Sequence, residues 1–415
     1  MLQLSDRDDA MLRGDFGDGV ARAMRIVVRT AHVMSAPHLI DITSAHIDGC
    51  LYHGRTSLDF VEYFVDTGTK VAVPTTLNVG SLDLIHPELY HGDRAIQRDA
   101  QRLMDAHLQL GCESSFTCAP YQLKHRPAKG EQIAWAESNA IVFANSVLGA
   151  RTSRYGDFLD LAAAITGRAP YAGLHVEANR AARLVFNAPD FTGLPSRDIY
   201  FAALGLLIGR IAGAVVPAIV GLPADTTEDE LKALGAAAAS SGAVALFHAV
   251  GITPEAPTLD VALHGQAAQR TVDVAMADLD AIRRTLNHGA AGDPLVAVAL
   301  GTPHFSLAEF RTLDTLLDAF DGKPACDFYV NTSRFILWEL EEAGLARKFA
   351  ARGIQIVVDT CTYITPVMKQ MSGLVMTNSG KWASYAPANI GVTVAYGSMR
   401  ECVRSAYEGK VRFDD

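Results

Sequence analysis

Apolar positions in this 415-residue chain fall into short continuous runs and helix-spaced stretches that alternate along its length. That alternation predicts a layered α/β fold with parallel sheets flanked by helices. After an acidic opening, residues 10–31 carry helical spacing, and residues 38–43 read as a short strand. Ser57 is placed to cap a helix whose Leu58, Val61, Phe64 and Val65 form one apolar face, stopped by Gly68. Residues 70–73 predict the next strand and residues 134–147 a helix. The Ala-rich stretch 231–252 joins a helix to an apolar strand. Residues 253–258, with Pro254 and Pro257, read as a linker dividing the chain into regions 1–252 and 253–415.

Beyond that linker the pattern sharpens. Residues 295–300, 326–330, 354–358, 374–376 and 392–396 predict strands. Ser306 with Glu309, and Ser398 with Glu401, have capping-box spacing, and Ser333 is placed to cap a helix running to residue 350. Strand, helix and strand over residues 326–358 make a βαβ unit, for which a right-handed crossover is expected. Residues 200–222 are apolar enough to resemble a membrane span. Arg210 at the centre, where insertion costs about 2.5–3.5 kcal/mol, and the interrupting Pro217 argue for a buried core helix instead.

Several predicted strands run into polar loops: Ser44, His46 and Asp48; Thr75, Thr76 and Asn78; Asn331, Thr332 and Ser333; Asp359, Thr360 and Cys361; Ser379 and Lys381. In a parallel sheet such carboxyl ends converge on one edge, where ligands bind. Any one loop is ordinary turn or capping chemistry. Five together predict a polar small-molecule site. Cys118 and Cys361 both close such loops, which points to metal or iron–sulfur ligation. The alternative for each is a small buried apolar residue. His46, Asp48 and His304 are side chains that bind metals, but neither H-x-x-x-H nor C-x-x-C spacing supports zinc, and a structural hydrogen bond is the expected role of each. The segment from Thr377 to Lys381 lacks P-loop spacing, although a helix N-terminus plus a lysine can hold an anion.

The balance of 36 basic and 46 acidic residues, a formal charge of −10, shows no basic stripe. Nucleic acid and anionic membrane are therefore not expected partners. Six cysteines without regular spacing do not form a disulfide framework and suit a reducing cytoplasm. No basic segment followed by an apolar core opens the chain, so no secretory signal is expected.

Read in order, Ser44-Ala45-His46-Ile47-Asp48-Gly49, Pro74-Thr75-Thr76-Leu77-Asn78, Phe116-Thr117-Cys118-Ala119-Pro120-Tyr121, the run from Ala144 to Thr152, Asp359-Thr360-Cys361 and Thr377-Asn378-Ser379-Gly380-Lys381 resemble the aconitase X family. The resemblance implies an aconitase-like catalytic region and an iron–sulfur hydro-lyase. It implies dehydration of cis-3-hydroxy-L-proline to Δ1-pyrroline-2-carboxylate, with mevalonate 5-phosphate dehydration as the alternative. A non-enzymatic iron–sulfur sensor or assembly subunit is the alternative of another class. Cys118, Cys361 and Cys50 are the implied iron ligands. Ser379 is the implied base, with Lys381 and the loop from Thr75 to Asn78 holding the substrate carboxylate. The C-x-x-C pair of true aconitases is missing, so a cluster smaller than four irons is implied. Thr302, where archaeal-type members carry cysteine, points to the hydroxyproline branch. The family's small swivelling domain has no counterpart in these residues, so a separate small subunit is the expected partner.

Overall fold

Gly14 and Gly17, both at positive φ, split the first predicted helix into Asp6–Arg13 and Asp18–Val33. This is seen in a computed structural model that describes residues 2–194 and 196–414. The chain forms two units. Unit one comprises Met1–Ser81, Asp93–Ala181 and Thr253–Glu255, and unit two Leu82–Gly92, Ala182–Ile252 and Ala256–Asp415.

Unit one is built on a three-stranded parallel sheet in the order Thr75–Leu77, Ala45–Ile47, Ala134–Trp135. The strand expected at residues 70–73 lies four positions later. Val71 and Ala72 instead donate to Leu110 and Ala164, outside any ladder. The helix expected from residue 134 starts only at Ser138, because Ala134 and Trp135 are claimed by pairing with Ala45 and His46. It then widens into a π-turn at Ala144–Leu148, ending on Gly149 at φ 70°. Such a turn leaves carbonyls without helical partners, which must be met elsewhere. The buried Arg180 meets them: its guanidinium donates to the carbonyls of Asn145 and Ala150 and pairs with Glu255 at 2.7 Å. That ion pair ties residues 253–255 into unit one. Gly54, not Ser57, is the N-cap of Arg55–Asp66; the Ser57 hydroxyl donates to the Gly54 carbonyl.

Unit two contains two parallel sheets. One has five strands in the order Ile354–Val357, Asp327–Thr332, Ala297–Phe305, Leu374–Thr377, Thr393–Tyr396. The other has four, His248–Ala249, Pro217–Val220, Leu184–Asn187 and Arg270–Asp273. Because Arg270–Asp273 pairs with Leu184–Asn187, segments from both sides of the expected 252/253 boundary fold as one sheet. All five predicted C-terminal strands form, and both capping boxes are made. Their apolar faces pack with Phe310, Leu313, Leu340 and Cys402 into one core, so Cys402 is a packing residue.

The apolar stretch 200–222 resolves into the helix Arg197–Ala212 and the strand Pro217–Val220. Gly205 and Gly209 let that helix close on Glu228–Ser241: a Cβ at Gly205 would lie 2.2 Å from the Leu234 carbonyl oxygen. Gly205→Ala is accordingly expected to cost about 1–3 kcal/mol through overpacking. Denaturant unfolding checks this, with the midpoint falling at unchanged slope. Among the described residues no helix is long and apolar enough to cross a membrane.

Candidate active site

In unit one the site is assembled at the carboxyl end of the three-stranded sheet. His46 lies on the central strand, flanked in register by Thr76 and Trp135. Its Nδ1 is 2.8 Å from Thr76 Oγ1, and burial lowers the imidazole to about 3, against the opposing charge of Glu137. The ring is therefore neutral. Asn78 Nδ2 donates to Asp48 Oδ1. Burial, reinforced by Glu137 and Asp157, raises Asp48 to about 7. Burial likewise raises Asp160 to about 7, although its carboxylate accepts from the Asp48 and Leu161 N–H groups. Thr75 spends its hydroxyl on the Val73 carbonyl, and Ser44, half-buried, precedes the strand.

Cys118 reaches the same sheet end because its loop is pinned to the strand Thr75–Leu77. Leu77 N donates to Ser115 Oγ at 2.7 Å and Thr117 N to Leu77 O at 2.9 Å. Asn139 Nδ2 then donates to the Cys118 carbonyl at 3.0 Å. Cys50 is also buried, but its Sγ donates to Asn78 O at 2.9 Å, and burial together with Asp48 pushes its thiol well above the ordinary range.

Unit two supplies the second set. Asp359, at φ 61°, is buried and held in a fork by Arg334, at 2.9 and 2.6 Å. Asp83 accepts from Val358 N at 3.0 Å, so the segment 82–92 fixes the end of the strand Ile354–Val357. One turn on, the Cys361 thiol lies 3.6 Å from His304 Nε2, both fully buried. Asn331, Thr332 and Ser333, expected against substrate, have their side chains spent on the protein. Asn331 accepts from Thr362 N and donates to Leu300 O, Thr332 donates to Phe305 O, and Ser333 caps Arg334–Glu342. Asn331 thereby braces the loop that carries Cys361, Thr332 the end of the strand Ala297–Phe305, and Ser333 the helix Arg334–Glu342.

Ser379 is the N-cap of Gly380–Ile390, accepting from Trp382 N at 3.0 Å while its hydroxyl donates to Thr302 O. Lys381 is buried in the first turn of that helix. With Thr302, Asp198, Lys232 and Glu309, these two line a cavity of about 580 Å³ inside unit two. Lys232 is itself buried; Asp229 at 2.8 Å and Glu309 outweigh burial and hold it protonated. Its Nζ also donates to the His304 carbonyl at 3.3 Å.

Within unit two the buried Cys361 thiol and His304 imidazole lie side by side, and sulfur and imidazole nitrogen are donors that iron accepts. Sequence reasoning gave His304 a structural role and passed over Arg334, Asp83 and Lys232. The one available signal was His304 following Gly-Thr-Pro at the end of an apolar run.

Comparison with known proteins matches residues 1–178 to the aconitase X first domain, 182–284 to its second and 295–408 to its third. The chain is 40% identical over 98% of its length to a cis-3-hydroxy-L-proline dehydratase from Hypocrea jecorina, spanning 69% of that protein. A dehydratase of the same name from Pseudomonas aeruginosa is 41% identical over 97% of the chain, which spans 70% of it. The phosphomevalonate dehydratase large subunit of Methanothermobacter thermautotrophicus is 35% identical over 97% of the chain and is 98% spanned. The crystal structure of Thermococcus kodakaraensis aconitase X in its holo-form superposes with a TM-score of 0.87 at 30% identity, covering 97% of this chain and all of that one. With all three domains matched in order and relatives of 40% identity across nearly its whole length, this chain belongs to the aconitase X family.

Proposed function

We propose that this chain is the large component of an iron–sulfur hydro-lyase that converts cis-3-hydroxy-L-proline to Δ1-pyrroline-2-carboxylate in the cytoplasm. The observation that carries the reading is the identity gap. Relatives named cis-3-hydroxy-L-proline dehydratase stand at 40–41%, and those named phosphomevalonate dehydratase large subunit at 35% or below. Cys118 and Cys361 are the proposed thiolate ligands, as the family resemblance implies, and His304, 3.6 Å from the Cys361 thiol, is a better third donor than Cys50, whose thiol is committed to a main-chain carbonyl. When bound, such a cluster supplies Lewis acidity toward the leaving hydroxyl.

The remaining chemistry belongs to side chains. Ser379 Oγ takes the α-proton. A serine is a weak base unless positive charge stabilises its alkoxide, and the Lys381 ammonium and the N-terminus of Gly380–Ile390 are the sources of that charge. Lys381 holds the substrate carboxylate as negative charge develops on it. The loop from Thr75 to Asn78, expected to share that role, has spent its side-chain donors on the Val73 and Ala45 carbonyls and on Asp48. Loss of the 3-hydroxyl leaves an enamine, which tautomerises to the cyclic imine.

A separate small subunit of roughly 130–150 residues, within the usual domain range, completes the enzyme. The names of the archaeal relatives, each a large subunit, support this. The test is anaerobic co-purification with the candidate small subunit, iron and sulfide analysis, and assay on both substrates. Expected are a coloured complex, turnover of cis-3-hydroxy-L-proline only, and little activity from the chain alone. Turnover of mevalonate 5-phosphate in its place, or full activity of the isolated chain, would overturn the substrate or the subunit reading respectively.

A further inference from the structure

We infer that the carboxyl end of the three-stranded sheet in unit one is a subsite for a secondary ammonium group, with Glu137 and Asp48 accepting its two N–H bonds. The inference deepens the function proposed above and rests on its assignment of a cyclic amino acid as substrate. Glu137 follows the strand Ala134–Trp135 and Asp48 follows Ala45–Ile47, so adjacent parallel strands deliver both carboxylates to one edge. The charge of Glu137 acts on both Asp48 and His46.

Around these carboxylates, buried polar atoms lack partners among the described residues, and their chemistry has one sign. Thr76 donates its hydroxyl to Ala45 O at 3.4 Å, so it accepts from His46 Nδ1–H. His46 Nε2 is then a lone pair, fully buried, with nothing to accept from. Asn78 turns its amide nitrogen to Asp48, and Asn139 turns its own to Cys118 O and Tyr121 Oη, which leaves the Oδ1 of each without a donor. Trp135 Nε1 is the single unpartnered donor in this group. Buried acceptors without donors are costly, and a site so rich in them is completed by a ligand that brings hydrogens and positive charge. A metal ion fits less well. Among the described residues, His46, Asp48 and Glu137 are not a set whose ligand atoms converge as one ion requires. A ring nitrogen carrying two N–H bonds is larger and needs no such convergence.

Glu137 supports the same conclusion. It occupies a helix N-cap at φ 70°, where asparagine, aspartate or glycine would be accommodated more cheaply. Its carboxylate accepts from Ala140 N and from the Ser138 hydroxyl, which fixes its oxygens at the strand end.

The test is calorimetric titration of the assembled enzyme with L-proline and with tetrahydrofuran-2-carboxylate, in which a ring oxygen replaces the ammonium. L-Proline is expected to bind at least about tenfold more tightly, the scale of a charge-assisted hydrogen bond. Glu137→Gln and Asp48→Asn should each reduce proline affinity by about tenfold or more while leaving the oxygen analogue within about twofold. Asp48→Asn keeps the inference testable if loss of the Glu137 cap impairs folding. Equal affinity for the two ligands, or equal losses for both in the variants, would overturn it. Failure of the substrate reading shows separately, as absent turnover of cis-3-hydroxy-L-proline by a wild type that still prefers the amine.

Discussion

Cys361→Ser and Cys118→Ser are each expected to abolish the visible absorption of the anaerobically purified protein and to lower turnover by on the order of 10³-fold or more. The magnitude follows from losing Lewis-acid assistance worth several kcal/mol, at tenfold per 1.4 kcal/mol. A serine hydroxyl is harder and far less acidic than a thiol, so it does not replace the sulfur. The controls are Cys112→Ser and Cys402→Ser. Both thiols are buried and kept protonated, Cys112 pushed by burial to about 12, and Cys402 packs in the core of unit two. These variants lose some stability and keep colour and rate when folded. Iron and sulfide content with the visible spectrum decides the matter. Retained colour in either of the first two variants would sink the ligand assignment.

The second large effect is expected at Ser379. Two roles compete there, and they differ in magnitude as well as kind. As the N-cap of Gly380–Ile390 it contributes about 0.5–2 kcal/mol of stability, which Ser379→Ala would remove. As the base it is worth about 10²–10⁴ in rate. The expected result is a folded variant with unchanged iron content, turnover down by at least about 10²-fold, and no exchange of the substrate α-proton with solvent. Normal exchange in a merely destabilised variant would leave Ser379 as a cap alone.

The two experiments are complementary, because colour and proton exchange report different parts of one reaction. Loss of colour with exchange retained would separate leaving-group activation from proton abstraction. Loss of exchange with colour retained would isolate Ser379 and its field.

How much of this was legible in the chain differs between the units, for a physical reason. In the five-stranded sheet of unit two the strands are continuous, largely apolar runs, and the helices Leu307–Leu317 and Met399–Glu408 open on capping boxes, so local sequence specifies them almost alone. Cys361 was legible there because a polar tripeptide directly follows such a run. In unit one the strands are two or three residues long, too short for periodicity to declare them. Pairing with neighbours far along the chain defines them instead. Glu137 reads as helix interior until Ala134 and Trp135 are paired with Ala45 and His46, which moves it to the carboxyl edge of the sheet.

The same distinction holds for the site. Sequence alone identified the family and singled out the thiols of Cys118 and Cys361 and the serine–lysine loop at Ser379 and Lys381 as candidates, because each is carried by a contiguous motif. His304 beside Cys361, 57 positions apart, is a product of tertiary structure. So are Arg334 forked onto Asp359 and the spending of Asn331, Thr332 and Ser333 on bracing loop, strand and helix. A polar side chain in a loop has the same one-letter code whether it faces substrate or a neighbouring main chain. Only the packed fold decides which of its hydrogen bonds are already taken.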